Sequence, residues 1–469
     1  MQGSGGAAGW WTGSGRAGEW WRPDPPREQS RPADGGVGSP PDVAGGRAAF
    51  WGLMGFTFVM LIAPQNIVPA LKPLRLAWLC AVGSGTALLI ERFHRRRPLA
   101  ILTREMWIAA ALLVWAAITV PYSSWPGGSA SFLVGFYSKA IAIFWLLVGV
   151  LTTTARIRRI VWALVAMSVP LALVGAWHFA SGVFFRPLRS PDKRILGYVA
   201  GLTENPNDLA LMLNLLLPLA VALLLITTHH RVRLALLAVI VLDVTGVMLT
   251  FSRAGFLTLA TIFFVYLWKF RGRAAARGIW ALVVALLVVA LAGLPLLPAS
   301  YVTRLSTITD IKADRSGSAK ARWEDNFVAL GLVARHPIIG GGVGQSTLAL
   351  NKERGKRWTD VHNVYLEYAV DLGLPGLALF LLLLARCFWS TRLVQRETAG
   401  QPASRELFCL AEGVQVSLMA FAVGGTFHPV AYHFYFYYMA GLAIAIRETW
   451  WALKGAQSGA GDPAPLVSR

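Results

Sequence analysis

His362 stands next to Asn363, directly ahead of an apolar run that begins at Val364. Histidine is the side chain best able to take a proton near neutral pH, and nearby arginines would keep its ring neutral and ready to do so. That chemistry suits a general base. The plain alternative is a histidine at a membrane interface, bonded to a carbonyl. What favours chemistry is the setting, since the stretch from Ala321 to Gly376 is the longest polar interval between hydrophobic blocks.

Several cations accompany it. Arg253 occupies the very short turn Phe251-Ser252-Arg253-Ala254-Gly255 between two apolar runs. A guanidinium at the edge of hydrocarbon is costly unless an anion offsets it, and its five donors suit a phosphate or pyrophosphate. The alternative is an arginine reaching to lipid headgroups. Arg194 opens RILGYVAGLTENPNDLA, where Pro206 suits a first helical turn and Asn205 or Asn207 a cap. Arg186, Arg189 and Lys193 make the same mouth positive. Arg322 opens an expected amphipathic helix, 322–335, with Phe327, Leu330 and Leu332 as apolar positions and Pro337 ending it. Lys139 lies in the outer half of an apolar run and could hold an anionic headgroup, whereas Asp243, midway along another, reads as structural. The glycine run Gly340–Gly344 lacks the Lys-Ser/Thr of a nucleotide loop, so a tight turn lying over the bundle is the safer reading. Gly373-Leu374-Pro375-Gly376 should interrupt the helix after His362.

These groups need elements to hold them, and composition says what kind. The chain has 469 residues, of which 55% are hydrophobic and 14% charged, which suits apolar blocks separated by short basic loops. The expected fold is an all-α integral membrane protein, a polytopic bundle of about twelve transmembrane helices with one long periplasmic loop containing short helices. The spans fall near 50–63, 74–90, 107–120, 132–151, 160–180, 208–227, 234–250, 256–268, 280–297, 374–388, 407–424 and 434–446. The corresponding divisions are a disordered cytoplasmic tail, 1–46; nine spans, 47–297; the loop, 298–364; three spans, 365–450; and a second cytoplasmic tail, 451–469. The first apolar block is too long for a cleaved signal and reads as an uncleaved anchor.

The formal charge of +20 raises nucleic-acid binding, but much of the excess sits in short loops, such as Arg95-Arg96-Arg97 and Arg156 with Arg158 and Arg159. That placement sets membrane orientation and puts 181–207, the turn around Arg253 and the long loop together on the outer face. Cys80, Cys387 and Cys409 have no paired spacing, and no zinc motif, nucleophile elbow or carboxylate pair is apparent.

Three segments in order, RILGYVAGLTENPNDLA, TFSRAG, and RWEDNFVALGLVARHPIIGGGVG followed by VHNVYLEYAVDLGLPG, resemble the bacterial O-antigen ligase and polysaccharide polymerase superfamily. The similarity spans roughly 132–388. It implies a multi-pass glycosyltransferase of the bacterial inner membrane with its site facing the periplasm. The donor would be a polyprenyl-pyrophosphate-linked glycan, and neither a cofactor nor a metal is implied. His362 matches the family's proposed base, and Arg253, Arg194 and Arg322 match its arginines. Arg322, Lys139 and Asn363 are the expected substrate-binding residues. The acceptor could be a glycolipid as in a ligase, a second lipid-linked repeat as in a polymerase, or a protein serine; the single long loop fits the ligase slightly better. A lipid-linked glycan transporter is the non-enzymatic rival, against which stands the lack of detectable internal repeats. Expected partners are therefore the lipid-linked donor, the acceptor and membrane lipids, with no nucleic acid.

Overall fold

The computed structural model describes residues 46–99, 101–185, 194–198, 202–271, 318–355 and 358–459. The expected span at 280–297, Arg186, Arg189, Lys193, Gly201 and nearly all of the expected N-terminal tail lie outside the described residues. Of Arg194 only the backbone is described.

Thirteen described helices matter here. They are α1 (Arg47–Ile62), α2 (Leu76–His94), α3 (Arg104–Thr119), α4 (Ser138–Val150), α5 (Thr154–Ser181), α6 (Pro206–Ile226) and α7 (His230–Leu249). There follow α8 (Arg253–Phe270), α9 (Ser318–Arg335), α10 (Ser346–Arg354), α11 (Val364–Thr398), α12 (Arg405–Gly424) and α13 (Phe434–Gly459). Among the described residues nine helices are long and apolar enough to cross a membrane. Two further expected segments coincide with α1, which is shorter, and α13, whose apolar run is broken by tyrosines and Arg447.

Among the described residues one short strand pair departs from the helical pattern. After α5 ends at Gly182, which takes the left-handed conformation at φ 71°, Phe184 and Phe185 pair antiparallel with Ile195 and Arg194. Glycine adopts that conformation without steric cost, so the chain can turn back on itself there.

The centre of the bundle is α6 packed on α12, flanked by α7, α8 and α11. Both central helices are buried along most of their length, as helices surrounded by others are, and the buried Glu412 and Gln415 of α12 meet Lys269 of α8. Close approach depends on small residues: a Cβ at Gly413 would sit 2.8 Å from the carbonyl oxygen of Pro218 on α6. Packing between helices in a bilayer relies on such contacts, because lipid tails are as apolar as leucine.

α11 carries the break that the sequence signalled. Gly373 has φ 68° and ψ −174°, which frees the carbonyls of the preceding turn from their helical partners. The glycine turn satisfies them. Gly341 N–H donates to Val370 at 2.7 Å, Gly342 N–H to Asp371 at 2.9 Å, and the Trp115 indole to Leu372 at 2.8 Å. In return, Leu374 N–H donates to Pro337 at 2.7 Å. The Asp371 carboxylate accepts from Gly344 and Gln345 N–H at 3.0 and 3.1 Å. Gly340, Gly342 and Gly344 all have positive φ. The turn is thus spent on holding the break, and buried backbone groups are left paired.

Candidate functional site

Four pieces of chain meet around a cavity of about 260 Å³: the start of α6, the start of α9, the run before α11, and the run between α12 and α13. Each is held locally. Asn205 caps α6, its side-chain oxygen accepting from Asn207 N–H at 2.9 Å, with Pro206 at the first helical position. α9 packs on α11 through Ala329 and Leu332, which join Ala349, Leu350, Val361 and Val370 in a small core. Phe327 and Leu330, expected on its apolar face, are exposed instead. The buried side carries Ala321, Asp325, Ala329 and Leu332, and Asp325 pairs there with Arg354 of α10. Arg354 also donates to the Thr359 hydroxyl at 2.9 Å, fixing the run of chain that leads to His362.

His362 lines this cavity, half-buried. Its Nδ1 lies 2.8 Å from the backbone carbonyl of Asp360, which can only accept, so Nδ1 carries the proton and Nε2 is left bare. Burial and then the Arg322 charge hold the ring's pKa down to about 4, against the opposing pull of Asp360. A neutral imidazole with a free basic nitrogen results. The Asp360 carboxylate is itself engaged by the Thr347 hydroxyl.

Arg322 lines the same cavity, so the structure brings these two expected residues together. Arg253 does not line it, but stands close behind. Ser252 caps α8, accepting from Gly255 N–H at 3.1 Å, and donates to the side-chain oxygen of Asn207 at 2.8 Å; Asn207 is in the cavity wall. Arg194 is in the short strand pair, three residues before Gly197, whose N–H donates to Glu204 at 2.8 Å at the approach to α6. Asn363 caps α11, accepting from Tyr365 and Leu366 N–H at 2.9 and 3.2 Å, so its oxygen is committed to the helix. Lys139 lies elsewhere. It borders a second, mainly apolar groove of about 640 Å³ with Arg75, Gln65, Trp78 and Phe136. The two spaces are neighbours, since the ring of Phe136 meets His433 of the first cavity edge-on at 4.9 Å.

Residues 236–381 match the family model described as O-Antigen ligase. The match supports the O-antigen ligase-like superfamily. It covers Arg253, Arg322, His362 and Asn363 but not Arg194 or Lys139. No curated protein matches the chain significantly. The family match, together with nine candidate spans among the described residues, suggests a multi-pass membrane glycosyltransferase of the ligase or polymerase kind.

Reasoning from sequence passed over His428 and His433, which share the cavity with His362. The signal was present, as two histidines within six residues of a connection lacking Lys and Arg. Burial holds the His433 ring down to about 4 as well.

Proposed function

We propose that this protein transfers a glycan from a polyprenyl-pyrophosphate donor to an acceptor hydroxyl at the periplasmic face of the bacterial inner membrane. The observation that carries the proposal is the bare Nε2 of a neutral His362 on a cavity it shares with Arg322. In the reaction the acceptor oxygen attacks the anomeric carbon while its proton passes to Nε2. The bond from that carbon to the phosphate oxygen breaks, and its electron pair leaves on the pyrophosphate. Arg322, Arg253 and Arg194 stabilise the charge that develops there. A single direct displacement inverts the anomeric configuration. A donor with a lipid tail accounts for a site at the ends of membrane-spanning helices rather than in a soluble domain.

The test is reconstitution of the full chain with a defined polyprenyl-pyrophosphate oligosaccharide, offered a lipid A core or a second donor molecule as acceptor. Transfer to the core supports a ligase, and lengthening of the lipid-linked glycan supports a polymerase. Transfer that survives in His362→Ala removes the base assignment. Movement of donor across the bilayer with no new glycosidic bond overturns the enzymatic reading.

A further inference from the structure

His428 is buried, with 1% of its surface exposed, yet both of its ring nitrogens face main-chain oxygens. Nδ1 is 2.8 Å from the carbonyl of Gly424, the last residue of α12. Nε2 is 3.1 Å from the carbonyl of Asn207, the second residue of α6. A carbonyl can only accept, and a neutral imidazole has one N–H, so the neutral ring would set a lone pair against an oxygen lone pair. Two N–H donors satisfy both contacts.

We infer that His428 carries both ring protons and, as an imidazolium, ties the end of α12 to the start of α6, positioning Asn207 at the cavity wall. The two contacts and the end of α12 favour the charge, against the opposing effects of burial and of the N-terminal end of α6 that Nε2 meets. The last carbonyls of a helix lack intrahelical donors and form the negative end of the helix dipole, where a cation is stabilised. The clamp reaches further through Asn207, whose side-chain oxygen takes the Ser252 hydroxyl, and Ser252 caps the helix that begins with Arg253. One ring thus joins three helices at the cavity. His428 is a positioning residue here, and its charge also acts on His362, adding to Arg322 in disfavouring a second proton on that ring.

The charged and titratable groups around this ring come from every element that forms the cavity. They are Asp208 in the first turn of α6, Arg322 on α9, Asp360 and His362 before α11, and His433 in the same connection. Asp208 and Asp360 provide the balancing negative charge, while Arg322 opposes it. Arg253 stands behind Asn207 on α8.

The experiment uses full-length protein in lipid nanodiscs, with 15N-labelled histidine and His428 assigned by the signal lost in His428→Gln. Both His428 nitrogens are expected in the protonated range at about pH 7, whereas an unperturbed histidine there is mostly neutral. A bare nitrogen overturns the proposal. Hydrogen exchange gives a second readout: the first turns of α6 and α8 should exchange about tenfold faster in His428→Gln, from the loss of one charge-assisted bond. His428→Arg, which keeps the charge and several donors, should recover part of that protection. Exchange unchanged in the Gln variant, or protection that does not fall as the pH rises from about 6 to about 9, also overturns it. None of these readouts involves glycan transfer, so the clamp can fail or stand independently of the proposed function.

Discussion

Two of the polar clusters in this mostly apolar bundle are built differently. One surrounds His362, just ahead of α11. The other lies further along the same helix, where Glu105 of α3 accepts both terminal nitrogens of Arg447 at 2.8 Å and Arg386 Nε at 2.9 Å. Ser390 accepts a further bond from Arg447 at 2.8 Å. Glu105 is 0% exposed and Arg447 2%. From Val364 to Arg386 is roughly 33 Å along the chain of α11 at about 1.5 Å per residue, with the break at Gly373 between them. The second cluster is closed on itself, with the carboxylate's lone pairs taken by guanidinium donors. The first leaves a basic nitrogen bare beside a cavity. The lesson is that a buried charge marks function less reliably than an unspent valence does: the Glu105 cluster holds helices together, whereas the His362 cluster has chemistry to spare.

That contrast can be broken or sharpened by substitution. His362→Ala should cut glycan transfer by about 10²- to 10⁴-fold, the range for loss of a general base, and leave the melting temperature nearly unchanged. Transfer reduced only in step with protein stability would erase the distinction between the two clusters. Arg447→Leu should do the reverse, destabilising the protein by about 3–5 kcal/mol because it unpairs one buried partner, as read by thermal melting in detergent. A melting curve like that of the wild type would show that Arg386 alone satisfies Glu105.

Asp371→Ala tests the support between the clusters. It strands the N–H groups of Gly344 and Gln345 and should destabilise by about 1–3 kcal/mol, with faster amide exchange along the glycine turn. Asn363→Ala removes only a helix cap, worth about 1 kcal/mol, and its effect on transfer should follow from local loosening of His362. A loss of transfer as large as that of His362→Ala would instead give the Asn363 amide a direct role with substrate.

The smallest effect is on acidity. The working base is the neutral ring, with its pKa held down to about 4, so transfer should be flat through neutral pH and fall as pH drops through about 4. For folding, the sign is the same. The unfolded chain takes up the proton at a higher pH than the folded one, so stability is full above the ordinary histidine value and declines as pH falls toward about 4. Arg322→Met removes the second cause of the depression, and the acid limb of the profile should move to higher pH.

Nine of the twelve expected spans coincide with helices long and apolar enough to cross a membrane, and they were legible because long apolar runs have few soluble alternatives. The helix break after Asp371 was legible because glycine and proline stood together, and the cap before α6 because Asn-Pro-Asn fits the first turn. The partners of those features were not. Nothing local in Gly340–Gly344 says that its N–H groups serve Val370 and Asp371, and nothing near Phe327 says that its side of α9 is the exposed one. Both depend on contacts between segments some thirty to forty residues apart. Lys139 illustrates the same limit: it stands at the start of α4, and the groove it borders is not the one that contains His362.

Sequence by itself determined that this chain is a helical membrane protein with a histidine and several arginines flanking its apolar runs, since hydropathy and local turn chemistry act within a few residues. Tertiary structure alone decided which nitrogen of His362 is free, that Arg322 stands beside it, and that His428 bridges α12 and α6. Protonation and hydrogen bonding depend on which groups stand within about 3 Å of one another, and that distance is set by packing between helices far apart in the chain.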